Sequence, residues 1–150
     1  MNGPRCLALV TGSAAILTLS ACATPGPGDT AASAALLDEH VRSTAMAHCL
    51  RSVGGKGLPA AQAEVLREEG QRWVQILVEK SRGDIELLFA IMPAVDAALA
   101  AAPVALIHDD STGGTLPAAV FHCDTLLREP GVERAMAEAR RRLAPAYVEE

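Results

Sequence analysis

Residues 33–53 read Ser33-Ala-Ala-Leu-Leu-Asp-Glu-His-Val-Arg-Ser-Thr-Ala-Met-Ala-His-Cys-Leu-Arg-Ser-Val53, and their periodicity sets the fold class. Leu37, Val41, Ala45, Cys49 and Val53 recur every fourth residue, which places them on one face of an α-helix. Asp38, Arg42 and Arg51 fall off that stripe. Ser33 suits the N-cap, and Gly54-Gly55 suits the end. The spacing therefore predicts a helix whose inner face carries Cys49.

The chain after it repeats the pattern. Pro59 opens a second helix, expected over 59–81, with Ala63, Leu66, Gly70, Trp73 and Leu77 inward and Val74 beside them. Gly70 costs up to ~1 kcal/mol against Ala in a helix, so it marks a close packing point or a bend. Asp84 caps a third helix after Arg82-Gly83. From Ile85 to Ile107 the chain is almost entirely apolar, but Glu86 and Asp96 would be costly at the centre of a membrane span. Pro93 and Pro103 interrupt it as well. It reads as a buried central helix, kinked or restarted at Pro93. Asp109-Asp110-Ser111-Thr112-Gly113-Gly114 is a loop that lacks the spacing of a calcium site. A fourth helix from Thr115 or Leu116 turns Val120, Cys123 and Leu127 inward. A fifth, over 132–143, buries Val132, Ala135, Met136, Ala139 and Leu143 and ends at Pro145. Arg140, Arg141 and Arg142 then complement its C-terminus. No strand pattern appears. The expected fold is all-α, a bundle of four or five helices in residues 34–150.

The N-terminus carries an address. Arg5 precedes an uncharged apolar run from Cys6 to Thr18, too short to span a bilayer. Leu19-Ser20-Ala21-Cys22 follows, and it resembles the lipobox of bacterial lipoproteins. That resemblance implies a signal peptide over 1–21, acylation of Cys22, and attachment of the protein to the membrane through lipid. Ala23 after the cysteine, in place of Asp, points to the periplasmic face of the outer membrane. Residues 22–33, with alternating Pro and Gly, read as the lipidated cysteine and a flexible tether.

Composition narrows the function. The net charge is −5, and cleavage would remove one more cation, Arg5. Lys56 and Lys80 are the only lysines, so nucleic acid is not an expected partner. With Cys6 lost and Cys22 lipidated, Cys49 and Cys123 are the remaining thiols, and an oxidising compartment bonds such a pair. The rival is a metal or nucleophile site built from His48-Cys49 and His122-Cys123. Neighbouring residues on a helix point about 100° apart, however, and helical metal pairs use spacings of three or four. No Gly-x-Ser-x-Gly, His-Glu-x-x-His or phosphate-binding Gly loop is present. The expectation is a non-catalytic protein with no cofactor and no metal.

Three segments carry a further resemblance: Ala47-His48-Cys49-Leu50, Glu69-Gly70-Gln71-Arg72-Trp73 and Phe121-His122-Cys123-Asp124-Thr125-Leu126-Leu127. With the helix start over Pro130–Met136, they are similar to periplasmic immunity proteins that neutralise type VI secretion amidase effectors. The resemblance implies a small helical protein, a Cys49–Cys123 disulfide, homodimers, and a loop placed in the toxin's cleft. The partner-binding residues are then expected at Asp109, Asp110, Ser111 and Leu116. The alternatives are an accessory or pilot lipoprotein of an envelope assembly, and a Cys/His envelope enzyme or metal binder.

Overall fold

The computed structural model describes residues 27–111 and 113–148; the signal segment, Cys22 and the start of the tether lie outside them. The elements in chain order are α1 (Pro27–Ser52), α2 (Ala60–Lys80), α3 (Ile85–Phe89), α4 (Met92–Ala101), β1 (Leu106–Asp109), β2 (Gly114–Pro117), α5 (Ala119–Leu126) and α6 (Pro130–Val148). The fold is a helical bundle carrying one disulfide, with a two-stranded hairpin inserted between α4 and α5.

The stripe on α1 is buried at every expected position, from Leu37 through Val41, Ala45 and Cys49 to Val53. Thr44, Ala47, His48 and Leu50 are buried too, so the second half of α1 is enclosed nearly all round. It is α1 that runs through the middle of the bundle, packed by α2, α4, α5 and α6. The apolar 85–107 segment does not take that central place. Much of its hydrophobicity comes from alanines, which cover little area, and α4 buries only Val95 and Leu99 while Asp96 faces outward. The segment does restart near Pro93, which sits in the first turn of α4 where a missing N–H costs nothing. Pro103 ends it short of Ile107. No helix among the described residues is long and apolar enough to cross a membrane.

Helix α1 begins at Pro27, six residues ahead of the expected Ser33 start. Pro favours the first turn, and Ala31-Ala32-Ser33-Ala34-Ala35 contains no breaker, so the helix extends outward until Pro and Gly stop it. Helix α2 meets α1 at Gly70. A Cβ built there would lie 2.6 Å from the Ala47 carbonyl oxygen and 2.8 Å from the Arg51 nitrogen. The close-packing reading of Gly70 holds. Val74 and Leu77 follow it inward, whereas Trp73, turned about 60° to one side, stays 37% exposed.

Helix α6 buries Val132, Met136, Ala139 and Leu143 as expected but runs on past Pro145 to Val148. The reason is Tyr147, which is buried and fixed at its hydroxyl. The hydroxyl shares a hydrogen bond with His40 Nδ1 (2.6 Å) and accepts from the Arg82 backbone N–H (3.3 Å). That anchorage offsets the bond Pro145 cannot make. His40, which lacks an evident partner in sequence, thus has one 107 residues away. Since α6 continues, Arg140 and Arg141 are not in its last turn. Arg140 pairs with Asp38 of α1 at 2.6 Å, and Arg141 pairs with Glu138.

Candidate functional site

Two places combine chemistry with position: the cysteine–histidine centre inside the bundle and the hairpin at its end. In the first, Cys49 and Cys123 are bonded, with an S–S distance of 2.02 Å and Cα atoms 5.8 Å apart. The bridge ties α1 to α5. Both sulfurs are fully buried, and a bonded sulfur is not a thiolate, the form that attacks carbonyls or binds metal. The neighbouring histidines diverge, as adjacent helical residues must. His48 lies against Asp96 of α4, with Nε2 2.7 Å from the carboxylate oxygen. Arg51 stands 2.9 Å from Nδ1, and Arg51 also donates to Gln71 of α2. A guanidinium only donates, so Nδ1 accepts and the Nε2 proton goes to Asp96. His48 thus ties α1 to α4, and its neighbour Arg51 ties α1 to α2. His122 is buried, with no hydrogen-bond partner at Nε2 among the described residues, and burial and then Lys56 lower its pKa below the ordinary 6.5. Burial thus favours its neutral form. Among the described residues no three His, Cys, Asp or Glu side chains are grouped to hold a metal ion.

The hairpin replaces the loop and the helix start expected over 109–118. Pro103 has ended α4, Ile107 and Thr115 are β-branched, and Gly113 takes a φ of 69° that a side chain resists. The strands pair antiparallel, Leu106 with Pro117, Ile107 with Leu116, His108 with Thr115 and Asp109 with Gly114. Asp109 organises the tip. Its backbone oxygen accepts from Gly113 N–H at 2.8 Å, and its Oδ1 accepts from the Ser111 N–H (3.0 Å) and hydroxyl (2.6 Å). Asp110 is different. Its side chain is 99% exposed, 3.7 Å from His108 Nε2, and it projects a negative charge beyond the tip. Of the four residues expected in the loop, Asp109 and Ser111 therefore shape the turn, while Asp110 and Leu116 face solvent.

An apolar surface that no local sequence pattern marks surrounds them. Leu106, Ile107 and Leu116 of the strands and Val120 and Phe121 of α5 are all exposed, Phe121 by 64%. Val120 was expected inward, but Ala119, His122, Cys123 and Leu126 take the inner face of α5 and turn it out. At the foot of the hairpin a depression of about 390 Å³ is lined by Lys56, Ala101, Pro103, Val104, Leu106 and Pro117, among others. Short β-prone runs on either side of Asp-Asp-Ser-Thr-Gly-Gly were a signal that could have shown the hairpin.

No family model matches this chain, and no curated protein or solved structure matches it either.

Proposed function

We propose that this chain is a non-catalytic, lipid-anchored protein of the outer membrane's periplasmic face that binds a protein partner through the 106–117 hairpin. The observation that carries the reading is the hairpin's surface. Leu106, Ile107, Leu116 and Phe121 present apolar side chains at the end of a bundle whose α1 and α5 are bridged, and Asp110 adds a charge at the tip. Exposed apolar groups rimmed by polar ones suit protein interfaces, and a loop on a rigid scaffold orders little on binding. Asp110 favours a partner with a basic or hydrogen-bond-donating surface and chiefly speeds encounter, while the apolar side chains supply anchoring. Lipid anchorage at Cys22 rests on the lipobox. Neutralisation of an amidase effector is the form of this function supported by the resemblance around Cys49, Gly70 and Cys123.

The test is capture from the native periplasm with wild type and with an Asp110→Ala/Leu116→Ser variant. These two positions leave the Asp109–Ser111 turn intact. Wild type should retain a partner that the variant loses, and on the immunity reading that partner shows amidase activity only after it is released from the complex. Equal recovery by both proteins would move the interface off the hairpin.

A further inference from the structure

The two edges of the hairpin are not equivalent. The Ala118 N–H donates to the Ala105 carbonyl (2.8 Å), next to the Leu106–Pro117 pair. Facing residues in an antiparallel pair alternate between exchanging both backbone bonds and exchanging none. A bonded 105–118 position therefore gives the inward bonds to Ile107–Leu116 and Asp109–Gly114. It leaves Leu106, His108, Thr115 and Pro117 with their backbone groups turned outward, away from the other strand.

On the β2 edge those groups belong to Thr115 and Pro117. Pro117 has no N–H, so this edge offers a single donor. On the β1 edge Leu106 and His108 each present an N–H and a C=O. Among the described residues no backbone bond outside the ladder reaches either of them, and β1 packs chiefly on β2. Both residues are exposed. Strand β1 also carries neither Lys nor Pro, residues that commonly blunt a bare edge.

The surroundings of β1 define the strand that fits there. The depression of about 390 Å³ lies on the face shared by Leu106 and Pro117, walled in part by Pro103 and Val104. A side chain opposite Leu106 on an added strand points to this face, so an apolar one fills the depression. At the other end Asp110 projects its charge beyond the tip and favours a cation. Strand β1 itself, Leu106-Ile107-His108-Asp109, has no Lys or Arg to meet that charge, which disfavours a second copy as the added strand.

We propose that the protein partner contributes an extended segment that pairs with the outer edge of β1 as a third strand. It bonds to the backbone of Leu106 and His108, with an apolar side chain in the depression and a basic one beside Asp110. This rests on the hairpin being the partner surface and specifies the mode: main-chain bonds supply affinity and alternate side chains supply selectivity.

The test removes one outward N–H at a time. The full chain, as wild type, His108→Pro, His108→Ala and Thr115→Pro, is used to capture protein from the native periplasm. Proline at 108 or 115 breaks no ladder bond, so the Ile107 and Leu116 amides of each free variant should exchange as slowly as in wild type. Thr115→Pro and His108→Ala, which keeps the N–H, should retain the partner that wild type retains. His108→Pro should recover less of it by about tenfold or more. In the wild-type complex, amide exchange read by NMR should slow most at Leu106 and His108, and less at Thr115. Full recovery by His108→Pro, loss in Thr115→Pro or His108→Ala, or unchanged exchange at Leu106 and His108 would overturn the third strand. The hairpin reading would survive those results if Asp110→Ala/Leu116→Ser still loses the partner. Recovery unaffected by that variant too, or no protein retained by wild type, would overturn both. A doubled mass of the purified chain that His108→Pro abolishes would assign the edge to a second copy and overturn the proposal.

Discussion

Replacing Gly70 with Ala should destabilise the protein, although Ala is the better helix former by up to ~1 kcal/mol. The added methyl would sit 2.6 Å from the Ala47 oxygen, 2.8 Å from the Arg51 nitrogen and 3.0 Å from the Arg51 Cβ, against 3.4 Å or more for ordinary contact. The first two of these atoms belong to the backbone of α1, so no rotamer change relieves the clash. The helices must move apart, which loosens Val74 and Leu77 against Ala47, a small cluster that holds α2 to α1. Overpacking of this kind costs about 1–3 kcal/mol, and an obstacle made of backbone belongs near the upper end. After the helix-propensity gain, the net loss is about 2 kcal/mol, or roughly 5–10 °C in Tm for a domain of this size. Gly131, second in α6, is the internal control. A Cβ there meets nothing within 4 Å, and its φ is not positive. Gly131→Ala should be neutral or stabilising by up to ~1 kcal/mol. Thermal unfolding followed by circular dichroism at one pH compares the two variants. A Gly70→Ala protein as stable as wild type would refute the reasoning that Gly70 is there because two backbones approach too closely for a side chain.

Reduction of the Cys49–Cys123 bridge, which spans 74 residues, should cost about 4 kcal/mol by chain-entropy reasoning; two alkylatable thiols in the exported protein would remove the basis for that figure. Burial, aided by Arg82 and Lys80 and opposed by Glu39, lowers the His40 pKa, and burial with Lys56 lowers that of His122. Both folded values lie below the unfolded 6.5, so the unfolded chain binds more protons on acidification. Stability should be complete above about pH 6.5 and fall as the pH drops from there toward the folded values, seen as a decreasing denaturant midpoint. A midpoint flat from pH 7 to 5 would show that the histidines are not held neutral. Tyr147→Phe deprives His40 Nδ1 and the Arg82 N–H of their shared partner and should cost about 1–2 kcal/mol in the same assay. Cys22→Ser should shift the protein from the membrane to the soluble fraction, since multiple acyl chains contribute ~0.8 kcal/mol per buried methylene; unchanged fractionation would defeat the anchor.

Helical content was legible because α1 and α6 repeat apolar residues at spacings of three and four, and those stripes are the faces they bury. The burial of both cysteines was legible for the same reason. Periodicity did not separate α1 from the 85–107 segment as the central element. A run of alanines scores as apolar yet covers little area, whereas α1 draws in His40, Thr44 and His48 once partners satisfy them. Those partners lie 107 residues away for His40 and 48 for His48, distances at which local pattern is silent. Tyr147 overrode the stop expected at Pro145 for the same reason. The hairpin was hidden because each strand has four residues, too few for alternation to register. Its polar tip was found, but the apolar side chains beside it took on meaning only when the pairing of Ile107 with Leu116 brought them together.

Hydrogen exchange on the complex with the captured partner tests the central claim most directly. Amides of residues 106–117 and the first turn of α5 should gain protection when the partner binds, while α6 and the buried half of α1 exchange as in the free protein. Protection confined to the helix faces, with the hairpin amides unchanged, would contradict the account.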